Sequence, residues 1–439
     1  MTKQECAIKY ITENYLDYRR LRHDIVADKL QVRVAHSLED ASLQNAPEGL
    51  QFRGSEYWRE MTKHDINSIV CHAAQEYDAN ITSREVMTAL QSDLIPDVHP
   101  LREYVLSCGE WTEEQPDWID WVAQQVTVKP LGDEAKGDKA RGEGLWRGCF
   151  KKWFVAMVAS WMKDEVVNHQ VLVLIGKQGI FKTTWLEHLI PPHLRAYACK
   201  LANSNDLNKD ERLRIAEFGL ISLDEIDSMN NRELNQLKSV ITATDVNERA
   251  AYAYTKERRV RLASFCASGN RRDFLTDITG NRRWLPFEVE SIQNPFTTIL
   301  PYERMYAQAW ALAQDPLFSY WFDLEEIEVL EQHNQYFRDE SNEEQLLPIL
   351  FDVPAEDRGE FMTTAQISER LVTYGNIKKP MALSRLGMVL GTAGFRAVTR
   401  KAGSGRARGW IVYQRDNDEI KNLRRLLKDE TSQLDTAIY

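Results

Sequence analysis

The chain carries a lysine–threonine pair, Lys182-Thr183, after a turn that contains two glycines. An apolar run, Val171-Leu-Val-Leu-Ile175, precedes the turn and predicts a buried strand that would aim it. Backbone N–H groups of such a turn can surround phosphate oxygens, while the lysine reaches them as a point charge and the threonine hydroxyl binds Mg²⁺. The sequence therefore predicts a phosphate cradle made of Gly176, Gln178, Gly179, Ile180, Phe181, Lys182, Thr183 and Thr184.

One position departs from the usual nucleotide-binding pattern, G-x-x-x-x-G-K-[ST]. That pattern has glycine directly before the lysine, whereas this chain has Phe181 there. Gly176 and Gly179 remain, so two positions of the turn keep the conformational freedom of glycine. Taken alone, the segment is also compatible with a strand–turn–helix in which the lysine occurs by chance.

A second apolar run, Phe218-Gly-Leu-Ile-Ser-Leu223, ends in two carboxylates. The run predicts a buried parallel strand, and paired acids at its end need a cation or hydrogen bonds because their desolvation is costly. We expect Asp224 to hold Mg²⁺ and Glu225 to polarise the attacking water. The alternative is an ordinary solvated strand end, followed by a helix with its N-cap at Asp227 or Ser228.

A third strand is predicted from Val260 to Asn270, whose terminal amide can orient the attacking water and sense the γ-phosphate. Cys266 within this strand is expected to be a small core residue, since no partner base is evident. Arg282 and Arg283 then follow a Gly-Asn turn, which suits an arginine finger that reaches a neighbouring subunit's γ-phosphate. In an extended segment the two arginines would point apart, so one would be the finger and the other would bind locally. A surface turn with solvated arginines is the alternative.

These motifs, in this order, predict an ATPase, and together they resemble a known family. The segments Gly-Lys-Gln-Gly-Ile-Phe-Lys-Thr-Thr, Leu-Asp-Glu-Ile-Asp, Ala-Ser-Gly-Asn and Thr-Gly-Asn-Arg-Arg-Trp are similar to motifs of the virulence-associated protein E family. The resemblance covers residues 146–290 and extends upstream to His99-Pro-Leu-Arg-Glu-Tyr104. That family is similar to superfamily 3 helicases and to the helicase half of viral and plasmid primase-helicases. Its members are typical of phages, prophages, plasmids and integrative elements.

The resemblance implies an AAA+-like core, usually in hexameric rings, that translocates on nucleic acid with ATP and Mg²⁺. Within that core, the family's catalytic and metal-binding roles can be carried over residue by residue. The resemblance gives catalytic roles to Lys182, Glu225, Asn270, Arg282 and Arg283, and metal-binding roles to Thr183 and Asp224.

In superfamily 3 helicases, the region between the second and third strands carries a hairpin that faces the pore of the ring. The corresponding residues here, 239–261, alternate cations with aromatic side chains. The cations would follow a phosphate backbone and the tyrosines could stack on unpaired bases, although a half-buried hairpin with inward tyrosines is equally compatible. The candidate pore residues are Arg249, Tyr252, Tyr254, Lys256 and Arg258.

The composition indicates a globular protein of two or three domains, with 12 Trp and 15 Phe among 439 residues. Six scattered cysteines without a C-x-x-C pair exclude a zinc ribbon and indicate reduced thiols. No apolar run reaches membrane-spanning length and the first residues lack a signal core, which predicts a cytoplasmic protein. The net charge of −11 hides a segregation, because Asp323–Glu344 has nine acids and one arginine whereas Lys378–Arg408 has eight Lys or Arg and no acid.

The expected fold class is α/β, with an AAA+-like P-loop ATPase core between an N-terminal α+β module and a C-terminal winged helix-turn-helix. An amphipathic helix is expected to open the ATPase domain and to end at Met162. The N-terminal module has no carboxylate pattern of a primase-polymerase, so such an activity would be on another chain; alternatively, the module couples the motor to a partner. The predicted boundaries are 1–130 for the N-terminal module, 131–145 for a charged glycine-rich linker, 146–315 for the ATPase domain, 316–357 for an acidic connecting segment, 358–415 for the winged helix and 416–439 for a tail.

The winged helix is predicted from a helix that starts near Thr363, a second helix after Pro380, and two strands around the turn Gly403-Ser404. Basic side chains at the second helix and in the hairpin would contact duplex DNA largely through its phosphates, so binding would be salt-sensitive. A winged helix used for protein contacts is the alternative. The candidate DNA contacts are Lys378, Lys379, Arg385, Arg400, Lys401, Arg406 and Arg408.

Together these features predict an ATP-dependent DNA helicase or translocase of a phage or mobile-element replication system. Its expected partners are single-stranded DNA in the pore, duplex DNA at the winged helix, further copies of the chain in a hexamer, and a separate primase or replication protein. The alternative is a nucleotide-gated, DNA-binding initiator or defence switch without processive unwinding. A small-molecule P-loop kinase is disfavoured by the paired carboxylates, the terminal amide and the two arginines.

Overall fold

The computed structural model describes residues 1–35, 56–131, 139–201, 215–248, 257–275, 281–354, 359–402, 405–423 and 425. They are of the mixed α/β class, as the sequence predicts. The chain divides into two compact units, one formed by Met1–Asn270 and Arg283–Glu328, the other by Arg271–Arg282 and Val329–Tyr439. Within the described ranges, no helix is both long enough and apolar enough to cross a membrane.

The first unit begins with a small α+β layer. Its elements are α1 (Lys3–Ile11), β1 (Leu21–Asp24), β2 (Lys29–Ala35), β3 (Glu56–Glu60), α2 (Lys63–Glu76), α3 (Ser83–Leu90) and β4 (Asp97–Val98). The strand order is β3-β2-β1-β4, with β1 parallel to β4 and the other pairs antiparallel. The side chains of Thr62 and Thr82 form capping boxes that fix the starts of α2 and α3.

The centre of this unit is a six-stranded sheet. Its strands are β5 (Val126–Val128), β6 (Val171–Ile175), β7 (Ala198–Leu201), β8 (Leu220–Leu223), β11 (Ser264–Gly269) and β12 (Trp284–Ile292), while β9 (Asp245–Glu248) and β10 (Glu257–Val260) form a separate hairpin. The order is β5-β12-β6-β11-β8-β7, and only β5 runs antiparallel to its neighbour. Because the chain leaves β6 towards one edge and returns with β12 on its other side, the carboxyl end of β6 lies at a topological switch point, where such sheets bind ligands.

Helices cover this sheet. They are α4 (Pro100–Ser107), α5 (Trp118–Ala123), α6 (Lys139–Met162), α7 (Lys182–His188), α8 (Asn231–Thr242) and α9 (Tyr302–Gln314). Helix α6 begins before the predicted boundary at residue 146. Its first half is amphipathic, with Trp146 and Phe150 buried and Arg147 exposed, whereas every residue from Trp153 to Trp161 is buried. The indoles of Trp153 and Trp161 donate to the backbone oxygens of Phe265 and Gly219, both at 3.1 Å, which anchors the helix to the sheet.

The second unit has its own core. Its elements include α11 (Asn342–Leu350), β13 (Phe351–Asp352), β14 (Glu360–Met362), α12 (Thr364–Gly375), α13 (Leu383–Thr392), β15 (Arg396–Ala402) and β16 (Gly405–Gln414), preceded by α10 (Leu324–Asn334). Strand β16 pairs antiparallel with β13, β14 and β15. Part of the segment 316–357, which was expected only to connect two domains, belongs to the core of the second unit, because Leu347, Leu350 and Phe351 pack in the same hydrophobic cluster as Trp410.

Candidate functional site

The predicted cradle lies between the end of β6 and the start of α7. Gly179 has a φ of +85°, and a Cβ atom on Gly176 would lie 2.8 Å from the Val289 carbonyl oxygen, so glycine is required at both positions. Phe181 is the N-cap residue of α7 and also adopts the left-handed region, with φ 67° and ψ 17°. The backbone thus keeps a conformation suited to glycine although it carries an aromatic side chain, at a cost of about 1–2 kcal/mol.

Lys182 is buried inside the turn. Its Nζ donates to the carbonyl oxygens of Gly176 at 2.8 Å and Lys177 at 2.7 Å, and to Oδ1 of Asn270 at 3.3 Å. Burial lowers the pKa of Lys182, while the nearby negative charges of Asp227 and Asp224 act in the opposite direction. The ammonium group is therefore fixed within the cradle and is surrounded by oxygen atoms.

Asp224 lies at the carboxyl end of β8 and accepts hydrogen bonds from three side chains. Its Oδ1 accepts from Ser268 at 2.7 Å and from Thr183 at 3.2 Å, and its Oδ2 lies 2.8 Å from Nζ of Lys200. Burial raises the pKa of Asp224, but the hydrogen bonds from Lys200 and Ser268 outweigh it and hold the pKa below its ordinary value. The result is a carboxylate anion beside two hydroxyl groups, which are ligands that suit Mg²⁺.

Asp227 positions the amide at the end of the third strand. The backbone N–H of Asn270 donates to Oδ1 of Asp227 at 3.0 Å, and a Cβ atom on Gly269 would come within 2.7 Å of that same oxygen. The alternative of a helix capped at Asp227 or Ser228 is wrong, because Asn230 caps α8. Asp227 was not a predicted site residue, since its contact depends on where two strands end.

The structure brings the three predicted motifs together around one cavity of about 330 Å³. Glu225 is exposed at its edge, with a left-handed φ of 53°. A glycine-containing turn, a cation, two hydroxyl groups and carboxylates are groups that suit a nucleotide phosphate and Mg²⁺. The lining residues are Gln178, Gly179, Phe181, Lys182, Thr183, Thr184, Asp224, Glu225, Ser268, Gly269 and Asn270.

Several predicted residues are not part of this lining. Arg282 and Arg283 lie in a 3-10 turn, Asn281–Arg283, so the premise of an extended segment is wrong. Arg282 is exposed and Arg283 is half-buried. Cys266 is fully buried, and burial raises the pKa of its thiol to about 12, so its predicted place in the core is confirmed.

The predicted pore hairpin is described only at its base. Strands β9 and β10 pair with Val246 opposite Arg259. The predicted third strand is β11, which begins at Ser264 rather than at Val260, because Val260 is the last residue of β10. The Arg259 guanidinium lies 2.6 Å from Oδ2 of Asp28 in the N-terminal layer. Arg258 occupies β10 opposite Asn247. Arg249, Tyr252, Tyr254 and Lys256 lie outside the described residues.

The family model of the virulence-associated protein E-like domain matches residues 139–344. The chain contains a virulence-associated protein E-like domain. The cavity and both arginines, Arg282 and Arg283, lie within the matched range of this domain. No curated protein matches the sequence.

Two solved structures align with the chain over most of its length. The apo structure of the NrS-1 C-terminal region is 11% identical, with 93% of this chain and 99% of that chain covered and a TM-score of 0.46. An A-form apo structure of the same region is 11% identical, with 90% and 98% covered and a TM-score of 0.44.

The predicted basic residues C-terminal to the virulence-associated protein E-like domain lie in the turn before α13, on α13 itself and on the β15–β16 hairpin. Lys378 and Lys379 are exposed in the turn before α13. Arg385 on α13 lies 3.8 Å from the buried carboxylate of Glu344, and Arg400 lies over the Phe361 ring at 5.1 Å. These last two cations therefore already have contacts within the chain.

The remaining three basic residues share one face of the β15–β16 hairpin. Lys401 is directly opposite Arg406, and Arg408 is opposite Thr399. All three cations are exposed. Like charges directly opposite each other in a ladder are destabilising, so this face favours an anionic partner.

Proposed function

We propose that the virulence-associated protein E-like domain binds ATP with Mg²⁺ and hydrolyses it. The observation that carries this proposal is the convergence of Lys182, Thr183, Asp224 and Asn270 on one cavity at the switch point of a parallel sheet. Positive charge at the base of the turn and anionic oxygen at the neighbouring strand end match the two halves of a Mg²⁺–phosphate group.

Each lining residue then has a distinct task. Lys182 would exchange its carbonyl partners for phosphate oxygens, and Thr183 with Asp224 would hold the metal, which would neutralise the charge of the phosphates. Glu225 would polarise the attacking water and Asn270 would orient it. Ser268 and Asp227 would position these groups, because they hydrogen-bond to Asp224 and Asn270.

We propose further that hydrolysis drives a cytoplasmic, ring-forming DNA helicase or translocase of a phage or mobile-element replication system. The presence of a virulence-associated protein E-like domain supports this assignment. In such a ring, Arg282 or Arg283 would complete the site of the next subunit, since neither lines the cavity of its own chain. The β9–β10 hairpin would contact single-stranded DNA, and the cationic face of β15–β16 would contact duplex phosphates.

The deciding experiment is Mg²⁺-ATP turnover of the purified chain with and without single-stranded DNA. A motor that pulls DNA is expected to hydrolyse ATP faster when DNA is present. Turnover that is indifferent to DNA would contradict the motor and favour a nucleotide-gated DNA-binding switch. Absence of turnover under both conditions would contradict the ATPase itself.

A further inference from the structure

An exposed aromatic ring lies beside the phosphate cradle. Phe296, in the turn after β12, is 63% exposed. Its ring centroid lies 6.3 Å from that of Phe181, at an interplanar angle of 81°, and 5.5 Å from that of His188, at 88°. Both contacts are edge-to-face, the arrangement in which aromatic rings attract each other.

Phe181 links this aromatic group to the cavity. It lines the cavity directly before Lys182, and it holds a left-handed backbone that glycine would adopt without strain. Backbone strain of this kind is concentrated at active sites and ligand clamps, where it is part of the mechanism. Since the backbone could form the cradle without a ring, this role belongs to the aromatic side chain.

Hydrogen bonds fix the turn that carries Phe296 and the end of α7 that carries His188. The backbone N–H of Phe296 donates to Oδ1 of Asn294 at 3.0 Å, and the N–H groups of Thr297 and Thr298 donate to the Asn294 carbonyl oxygen at 3.1 Å. The Tyr302 hydroxyl donates to the His188 carbonyl oxygen at 2.7 Å, which fixes the end of α7. A ring carried by a fixed turn presents its apolar surface at a lower entropic cost to binding than a ring on an unsupported loop.

His188 adds a directional polar group. Its Nδ1 lies 2.7 Å from the Thr184 carbonyl oxygen, which can only accept, so Nδ1 carries the proton. Burial lowers the pKa of His188, so the ring is neutral at pH 7 and Nε2 is an acceptor. Within the described part of the chain, no group hydrogen-bonds to Nε2. Such an acceptor fits the 6-amino group of adenine and disfavours the 6-oxo group of guanine.

We propose that Phe181, Phe296 and His188 form the seat of the adenine base of the nucleotide whose phosphates bind the cradle. The base stacks on Phe296, and Nε2 of His188 accepts from its amino group. This inference rests on the proposed nucleotide binding and adds the selectivity of that site for the base.

The test compares the affinities of ATP, GTP and inorganic tripolyphosphate, each with Mg²⁺, by calorimetry. Phe296→Ala is expected to lower the affinity for ATP on the order of tenfold, because an aromatic–base stack is lost. The affinity for tripolyphosphate, which has no base, is expected to be unchanged. His188→Leu is expected to bring the ATP and GTP affinities together without affecting tripolyphosphate. Leu317→Ala, which removes another exposed apolar side chain, serves as the matched control.

Two results would overturn the proposed adenine seat but not the phosphate cradle. In the first, Phe296→Ala leaves the affinity for ATP unchanged; in the second, it lowers the affinities for ATP and tripolyphosphate equally. Wild-type protein that binds neither ATP nor tripolyphosphate would overturn the proposed nucleotide site as well. Because tripolyphosphate lacks a base, the failure of the seat and the failure of the cradle give different results.

Discussion

At the scale of single residues, the candidate site is a set of opposite charges fixed by hydrogen bonds. The Asp224 carboxylate forms an ion pair with the ammonium group of Lys200 and accepts hydrogen bonds from the hydroxyl groups of Thr183 and Ser268. Lys182 is directed by carbonyl oxygens of its own turn. A site with these fixed dipoles needs little rearrangement to take a charged ligand, which is a property of catalytic centres.

Glu225→Gln tests the role of the exposed acid at the cavity edge. The variant keeps the size of the side chain but loses its basicity, so we expect ATP binding to persist while turnover falls on the order of 10²-fold or more. Binding by calorimetry and phosphate release are the measurements. Glu187→Gln, an exposed acid on α7, is the control, and normal hydrolysis by Glu225→Gln would refute the role.

Sequence motifs could predict which residues line the cavity but not the residues that position them. Lys182, Thr183, Asp224 and Asn270 follow strands whose carboxyl ends meet, so their convergence follows from the parallel sheet. Lys200 carries no such signal, because its contact with Asp224 depends on the register of the edge strand β7 against β8. The left-handed backbone of Phe181 was likewise not predictable from the residue type, which disfavours it.

At the scale of elements, a series of charged side chains connects the N-terminal layer to the base of the β9–β10 hairpin. Asp28, in the turn between β1 and β2, contacts Arg259, and its Oδ1 lies 3.2 Å from Nε2 of His23. The other ring nitrogen of His23 lies 2.8 Å from Asp97. Burial opposes ionisation of His23, but hydrogen bonds with Asp97 and Asp28 outweigh it and raise the pKa.

We therefore expect the contacts of His23 with Asp28 and Asp97 to depend on pH. Because the folded-state pKa of His23 lies above its ordinary value of 6.5, its contribution to stability is complete below pH 6.5 and is lost as the pH rises through the folded pKa. We therefore expect faster hydrogen exchange in β1 and β2 as the pH rises, after correction for the intrinsic rate. His23→Gln should remove this excess, whereas the exposed His64→Gln should not. An identical pH dependence in wild type and His23→Gln would contradict the prediction.

Periodicity and turn residues predicted the strands that carry the candidate site and the C-terminal helices and hairpin, and the errors elsewhere have physical causes. The helix predicted near Thr363 and the one predicted after Pro380 correspond to α12 and α13, and the two strands predicted around residues 403–404 are β15 and β16. Helix α11 was missed because the acidic run hid its apolar residues. Its buried Glu343 and Glu344 are paired, the first with the Met381 backbone N–H at 2.6 Å and the second with Arg338 at 2.6 Å.

At the scale of the whole molecule, the net charge of −11 does not preclude DNA binding, because the charge is unevenly distributed. The cationic face of β15–β16 is exposed, while Glu343 and Glu344 of the acidic run are buried. Removal of residues 358–439 would delete β16, on which β13, β14 and β15 all pair, so substitutions test this surface better than truncation.

Replacing Lys401, Arg406 and Arg408 together with glutamine should weaken duplex DNA binding at all sequences. If each contacts one phosphate, the slope of log K against log salt should fall by roughly 2–3 units. Fluorescence anisotropy across a salt series is the measurement, with the exposed Lys421→Gln as control. Superimposable binding curves for the triple variant and wild type would exclude this face as the DNA contact.

Complementation tests whether the arginine finger acts between subunits. Arg282→Ala or Arg283→Ala, whichever is the finger, should be inactive alone, as should Lys182→Ala. Mixing the two inactive proteins should restore part of the turnover, because some sites then combine an intact lysine with a neighbour's arginine. Arg304→Ala, which removes an exposed arginine of α9, should retain activity by itself. No recovery for either mixture would contradict the assignment.

The most direct test is to measure both the affinity for ATP and the rate of Mg²⁺-ATP turnover, for the wild-type protein and for Lys182→Ala. Because Lys182 supplies the positive charge at the base of the cavity, we expect the variant to lose turnover and to bind ATP more weakly. Lys421→Ala, with its side chain 77% exposed, should match wild type in both measurements. Turnover by Lys182→Ala equal to that of wild type would contradict the assignment of this cavity as the site of ATP hydrolysis.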